Sequence, residues 1–205
     1  MTEFDHIVVI APDLASGLDH VEAQIGLRLP PGGAHPLMGT HNHLVRLGAA
    51  AFLEVIAVDP AAAPPARPRW FTLDTPPAAP RLAHWVVRTD DMAALHPRLP
   101  RASGPALPVS RGALSWLLTV PEDGALPEGG TFPSVIEWRT DPLPPRAMPD
   151  AGLDLLRLDI GHPEPARLSA RLDPLFSDPR VVVAAAPAPS LAALVATPGG
   201  PKWLH

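Results

Sequence analysis

The sequence predicts an α+β fold: paired βαβββ modules forming a curved mixed sheet around a concave cavity, with a third partial βαββ unit at the C-terminus. Three observations predict it. The segment His6-Ile-Val-Val-Ile-Ala-Pro-Asp13 recurs as His84-Trp-Val-Val-Arg-Thr-Asp-Asp91, with Val-Val at +2 and +3 and Asp at +7 from each histidine. Each copy leads into apolar residues at near-helical spacing and then into short apolar runs punctuated by Pro and Gly. A weaker copy begins after Asp150.

In the first module, residues 1–60, Asp13 is placed to cap a helix carrying Leu14, Leu18, Val21 and Ile25, and Gly26 to stop it. Strand-like runs His43–Leu47 and Ala51–Ile56 follow. In the second, residues 81–141, Met92, Leu95 and Leu99 repeat the helical pattern and Pro97 shortens it. Its strands are Ala113–Val120 and Phe132–Trp138. In the third unit, residues 151–205, Arg157 stands where the modules have histidine, Glu164 stands at +7, and Val181–Val183 and Leu191–Val195 read as strands. The Pro-rich runs Pro60–Pro68, Pro76–Pro80 and Pro142–Pro149 separate the units as extended connections. Gly32-Gly33 and Gly129-Gly130 read as turns.

Composition narrows the function. The chain has 205 residues, 46% of them hydrophobic, enough to bury a core despite 30 prolines. A net charge of −5 without a basic run gives little reason to bind nucleic acid. With no cysteine there is no disulfide, thiolate metal site or thiol nucleophile, so any metal must sit on His, Asp or Glu. Acids precede the short N-terminal apolar run, unlike a signal peptide, and Pro187, Pro189 and Pro198 break up the uncharged stretch Val181–Pro201. A soluble, cytoplasmic protein with no membrane partner is expected.

Strand side chains alternate between faces. His6 therefore shares a face with Val8, Glu54 with Phe52 and Ile56, His84 with Val86, and Glu137 with Val135. All four polar residues are expected to point away from the helices into the concavity, where lone carboxylates would be costly and a divalent cation (Ni, Fe, Mn, Co or Zn) would neutralise them. The loop residues His41 and Asn42 are candidates for a polar rim contacting substrate. Arg69 and Trp70 are candidates for closing over a pocket, with Arg69 pairing a carboxylate.

The duplicated segments DHIVVIAPDL and AHWVVRTDDM, with the Glu-bearing strands FLEVI and SVIEW, resemble the vicinal-oxygen-chelate superfamily of glyoxalase I, extradiol dioxygenases and bleomycin-resistance proteins. The run Gly32 to Asn42, then FLEVIAVDP and PRWFTLD, is similar more narrowly to the glyoxalase-like domain proteins. The resemblance implies a metal held by His6, Glu54, His84 and Glu137, with Glu54 or Glu137 as the catalytic base. It implies a lyase or isomerase acting on a small hydroxy-carbonyl or dicarbonyl compound. Metal-free sequestration of a small molecule is the alternative, and extradiol-type dioxygenation a weaker one, since that chemistry uses a single carboxylate. A scaffold domain with no ligand is a third reading. The superfamily builds its sites within one chain or across a homodimer, and both arrangements remain open at this point.

Overall fold

A computed structural model describes residues 2–205. The first module runs β1 (Glu3–Ile10), α1 (Leu14–Ile25), β2 (Pro31–His35), β3 (Thr40–Leu47) and β4 (Ala51–Val58). The second runs β5 (Arg81–Arg88), α2 (Met92–Leu95), β6 (Ala106–Arg111), β7 (Leu114–Thr119) and β8 (Ser134–Trp138). After a short helix α3 (Pro144–Ala147) come β9 (Asp154–His162), α4 (Pro165–Leu172), β10 (Val181–Ala185), β11 (Ser190–Ala196) and β12 (Lys202–Leu204).

Local chemistry sets the boundaries. Asp13 caps α1 by accepting from the Ser16 N–H at 2.8 Å, and Gly26, at φ 77°, closes the helix through a bond to the Glu22 carbonyl. Asp91 accepts from the Ala94 N–H in the same way at the start of α2. That helix ends at Leu95, two residues before Pro97.

The modules share one eight-stranded sheet in the order β2-β3-β4-β1-β5-β8-β7-β6. Within each module the first strand lies parallel to the last, β1 on β4 and β5 on β8, and the modules join where β1 meets β5 antiparallel. The sheet curls until its two edges approach each other, with Arg111 of β6 lying over Gly33 of β2.

This curvature divides the core. Ile7, Val9, Leu53, Val55, Trp85 and Val135 face outward onto the helices. Val8, Ile10, Ile56, Val86, Ile136 and Trp116 face the concavity. Fully buried aliphatic side chains such as Ile7 and Leu53 each contribute roughly 1.5–3 kcal/mol through burial.

The C-terminal unit forms a separate sheet, β10-β9-β11-β12, packed on the outer layer, where Phe176 meets Trp85 edge-on with ring centroids 5.3 Å apart. Its pairing differs from the modules, because β9 lies parallel to β10 and antiparallel to β11. It also gains the short strand β12, with Leu204 fully buried. Gly32-Gly33 lies within β2 rather than at a turn. Among the described residues no helix is long and apolar enough to cross a membrane.

Candidate functional site

The concavity of the curled sheet holds a connected set of polar side chains, most of them from the first module. His6 leaves β1 toward the interior and stacks on Phe52 of β4, with ring centroids 4.3 Å apart. Its Nδ1 lies 2.6 Å from Asp5 Oδ1. A carboxylate can only accept, so Nδ1 carries a proton and donates to Asp5. The other ring nitrogen, Nε2, faces Glu54 at 3.7 Å from Oε2. Asp5 is fixed in turn at its other oxygen by the Trp138 indole N–H at 3.0 Å and lies 3.8 Å from the Arg88 guanidinium.

Glu54 is held by Asn42, whose Nδ2 donates to Oε1 at 2.6 Å. The Asn42 carbonyl oxygen accepts from the Gly33 N–H at 2.9 Å and from Arg111 Nη1 at 2.8 Å. His35 lies beside both, its Nε2 3.4 Å from Asn42 Nδ2 and from Arg111 Nη1. Both neighbours are donors, so Nε2 is the acceptor and Nδ1–H donates to the Thr40 hydroxyl at 3.1 Å. Burial first, then the charges of Arg111 and His41, push the His35 pKa down to about 3, which keeps the ring neutral.

Around this set the walls are apolar. A narrow cleft, about 40 Å³ in volume, is lined by Leu44, Phe52, Trp70, Phe71, Trp116, Leu118, Ile136, Trp138 and Pro144, together with His6, His35, Asn42, Glu54 and Arg111. That volume admits a few waters (each needs roughly 10–15 Å³), so a larger occupant must part the aromatic walls. Phe71 is held at φ 57°, an uncommon conformation for a bulky residue. The Trp70 indole N–H is buried with no hydrogen-bond partner among the described residues.

The second module does not complete a four-ligand centre. His84 is fully buried and both its nitrogens are occupied. Nδ1 donates to the Gly130 carbonyl at 3.2 Å, while Nε2 accepts from Ser134, with the hydroxyl at 2.9 Å and the N–H at 3.2 Å. Burial is the largest cause of its pKa falling to about 3; the Gly130 bond opposes the fall and the charge of His6 adds to it. His84 is a neutral core histidine. It does not line the cleft.

Glu137 lies on the other side of the sheet. Its Oε2 accepts from the Met92 N–H at the start of α2 at 2.7 Å, and Oε1 pairs with Arg139 at 3.1 Å. The register gives the reason. Val8, two residues after His6, pairs with Glu54, and Val86, two residues after His84, pairs with Ser134. Ser134 is therefore the counterpart of Glu54, and Glu137, an odd number of residues further on, must face the opposite way.

The expected metal set thus reduces to His6 and Glu54. Among the described residues no three His, Cys, Asp or Glu side chains are grouped to hold a metal. The donors present do not fit the divalent ion that the fold family implies.

Of the expected substrate contacts, Asn42 and Trp70 line the cleft and His41 and Arg69 do not. His41 neighbours Asn42 on β3, so alternation turns it to the other face. Arg69 is tied to the Asp74 carboxylate at 2.6 Å and to the Gly39 carbonyl.

Sequence reasoning missed Asp5, His35, Arg111, Trp116 and Trp138. Asp5 adjoins His6, and a register shift between Phe4 and His6 disturbs the alternation there. His35 and Arg111 meet only through closure of the sheet edges, for which one sequence carries no signal.

A family described as the glyoxalase-like domain matches residues 4–176. The chain belongs to that family. It is thereby a glyoxalase-like domain protein. A crystal structure of a hypothetical protein from Staphylococcus aureus is similar to this glyoxalase-like chain, with 12% identity, a TM-score of 0.64, and coverage of 93% of this chain and 88% of that one. That likeness concerns the fold. Methylmalonyl-CoA epimerase from Mycobacterium tuberculosis matches at 17% identity and TM-score 0.43, over 66% of this chain and 86% of that one. The Streptomyces coelicolor epimerase matches at 16% and 0.44, over 68% and 99%. Scores this low carry no functional argument. No curated protein sequence matches the chain.

Proposed function

We propose that this glyoxalase-like protein binds a small carbonyl compound in the cleft enclosed by both modules and moves a proton on it with His6 and Glu54, without a resident metal. The observation that carries the reading is the Asp5–His6–Glu54 line. Asp5 accepts from His6 Nδ1 at 2.6 Å and so orients the ring with Nε2 facing a second carboxylate at 3.7 Å; in the neutral ring Nε2 is the proton acceptor that the reaction uses. The chemistry is lyase or isomerase in type. His6 Nε2 takes a proton from the carbon beside a carbonyl, and the C–H electron pair moves onto the carbonyl oxygen as an enolate. The imidazolium then returns the proton to carbon, with Glu54 stabilising the charged ring in between.

The apolar walls exclude water from the transferred proton, and the partnerless Trp70 N–H suits an oxygen-bearing ligand. The test is deuterium exchange from solvent into the acidic C–H positions of a panel of small ketones and oxo acids, followed by NMR in the presence of a chelator. Exchange above the buffer rate that is lost in His6→Asn and reduced in Glu54→Gln supports the reading. Exchange that vanishes with chelator refutes it.

Sequestration is the second reading, favoured by one observation: Phe52, Trp70, Phe71, Trp116 and Trp138 crowd so narrow a cleft. Saturable binding of a panel compound without exchange would select it.

A further inference from the structure

Arg111 is the charged cleft residue, among the described residues, that the proton-transfer reading leaves without a task. It reaches in from the end of β6, across the closing edge of the sheet, and is partly buried. Its known partners are both neutral and both meet the same nitrogen: Nη1 contacts Asn42 Oδ1 at 2.8 Å and His35 Nε2 at 3.4 Å. No carboxylate lies within ion-pairing distance among the described residues, and Nε and Nη2 have no protein partner there. Glu54 comes no closer because Asn42 stands between them, holding Glu54 with its amide nitrogen and Arg111 with its amide oxygen.

The strand beneath is cut away to seat this side chain. A Cβ on Gly33 would sit 2.9 Å from Arg111 Cδ, and one on Gly32 would sit 2.3 Å from Asn42 Oδ1. A guanidinium is always charged, and its planar fork matches two oxygens side by side. Placed against apolar walls with no carboxylate paired to it directly, it has a free edge for an anion from outside the chain. Burial lowers the Arg111 pKa and the Glu54 charge offsets part of that fall.

We infer that the cleft takes a small 2-oxo carboxylate, with Arg111 holding the carboxylate or the vicinal carboxylate and keto oxygens, and with the carbon beside the keto group turned toward His6. This rests on the proton-transfer reading for the placement of His6, while the anion site stands on Arg111 alone. An acid of this class fits the chemistry at both ends. Its oxygens meet the free edge of the guanidinium, and its short apolar tail meets the aromatic walls.

The probes are 2-oxobutanoate and its uncharged analogue 2-oxobutanamide, tested on the full chain by isothermal titration and by deuterium exchange at C3. The wild-type protein is expected to bind the carboxylate about ten-fold or more tightly than the amide. Arg111→Gln removes that preference by weakening carboxylate binding far more than amide binding. Gly33→Ala, which keeps every charge but displaces the side chain, weakens carboxylate binding in the same direction. His6→Asn keeps the preference and loses exchange.

Equal binding of the two probes by wild type, or a preference that survives Arg111→Gln, overturns the anion assignment, even if both probes exchange and the proton-transfer reading stands. Selective carboxylate binding through Arg111 without exchange supports the anion site and removes the proton-transfer reading. Failure of both probes to bind overturns the inference.

Discussion

Acidification should unfold this protein through two buried histidines. His35 and His84 have pKa values near 3 in the folded chain against 6.5 for an unperturbed side chain, burial being the main cause for each. Below pH 6.5 the unfolded chain takes up protons that the folded chain refuses. Stability therefore falls as pH drops from 6.5 toward 3 and is complete above that window. Between pH 7.5 and pH 5.0 each histidine costs about 2 kcal/mol, and the pair about 4 kcal/mol. This range stays above ordinary carboxylate titration, so the histidines dominate the slope. Urea denaturation at pH 7.5, 6.5, 5.5 and 5.0 measures it. His84→Gln lowers stability at every pH but should remove about half of the pH-dependent loss. Identical slopes in wild type and variant, or a wild-type protein that gains stability on acidification, would refute the neutral buried state assigned to His84.

Glu137→Gln should leave ligand binding at the cleft unchanged and lower stability by about 1 kcal/mol, since what it weakens is the bond to the Met92 N–H on the helix side; urea denaturation beside titration of a bound probe checks both. Gly130→Ala should be severely destabilising, by roughly 3 kcal/mol or more, because its Cβ would fall on the Ala83 carbonyl oxygen at a backbone φ of +98°; thermal melting reports it. Asn42→Leu strands the Glu54 carboxylate, the Gly33 N–H and Arg111 together, so it should lose probe binding and about 2 kcal/mol of stability in the same titration and denaturation experiments.

The architecture was legible because duplication and periodicity are properties of the chain itself. The His-x-Val-Val spacing and the capping aspartates marked β1, β5, α1 and α2, and the alternation in Phe52–Ile56 set Glu54 on the concave face correctly. The same rule failed at β8, where both faces are buried. Val135 packs outward and Ile136 inward, so the hydrophobic pattern does not say which face is which. Register, which pairs Val86 with Ser134, decides it, and register is a tertiary fact. Arg111 and His35 were invisible for a related reason. They lie 76 residues apart and meet only because the sheet closes on itself. Pro144 belongs to a run that reads as a connection, yet it forms part of the cleft wall.

Whether a metal joins the two halves of the sheet is the question on which this reading of the site depends most. Elemental analysis of the purified protein, dialysed against buffer containing Ni, Zn and Mn salts and then against metal-free buffer, addresses it in one step. A site built on His6 and Glu54 alone, with His84 locked in the core and Glu137 facing α2, predicts far less than one ion per chain, and the same value in His84→Gln and Glu137→Gln. One ion per chain in the wild type, lost in either variant, would contradict it.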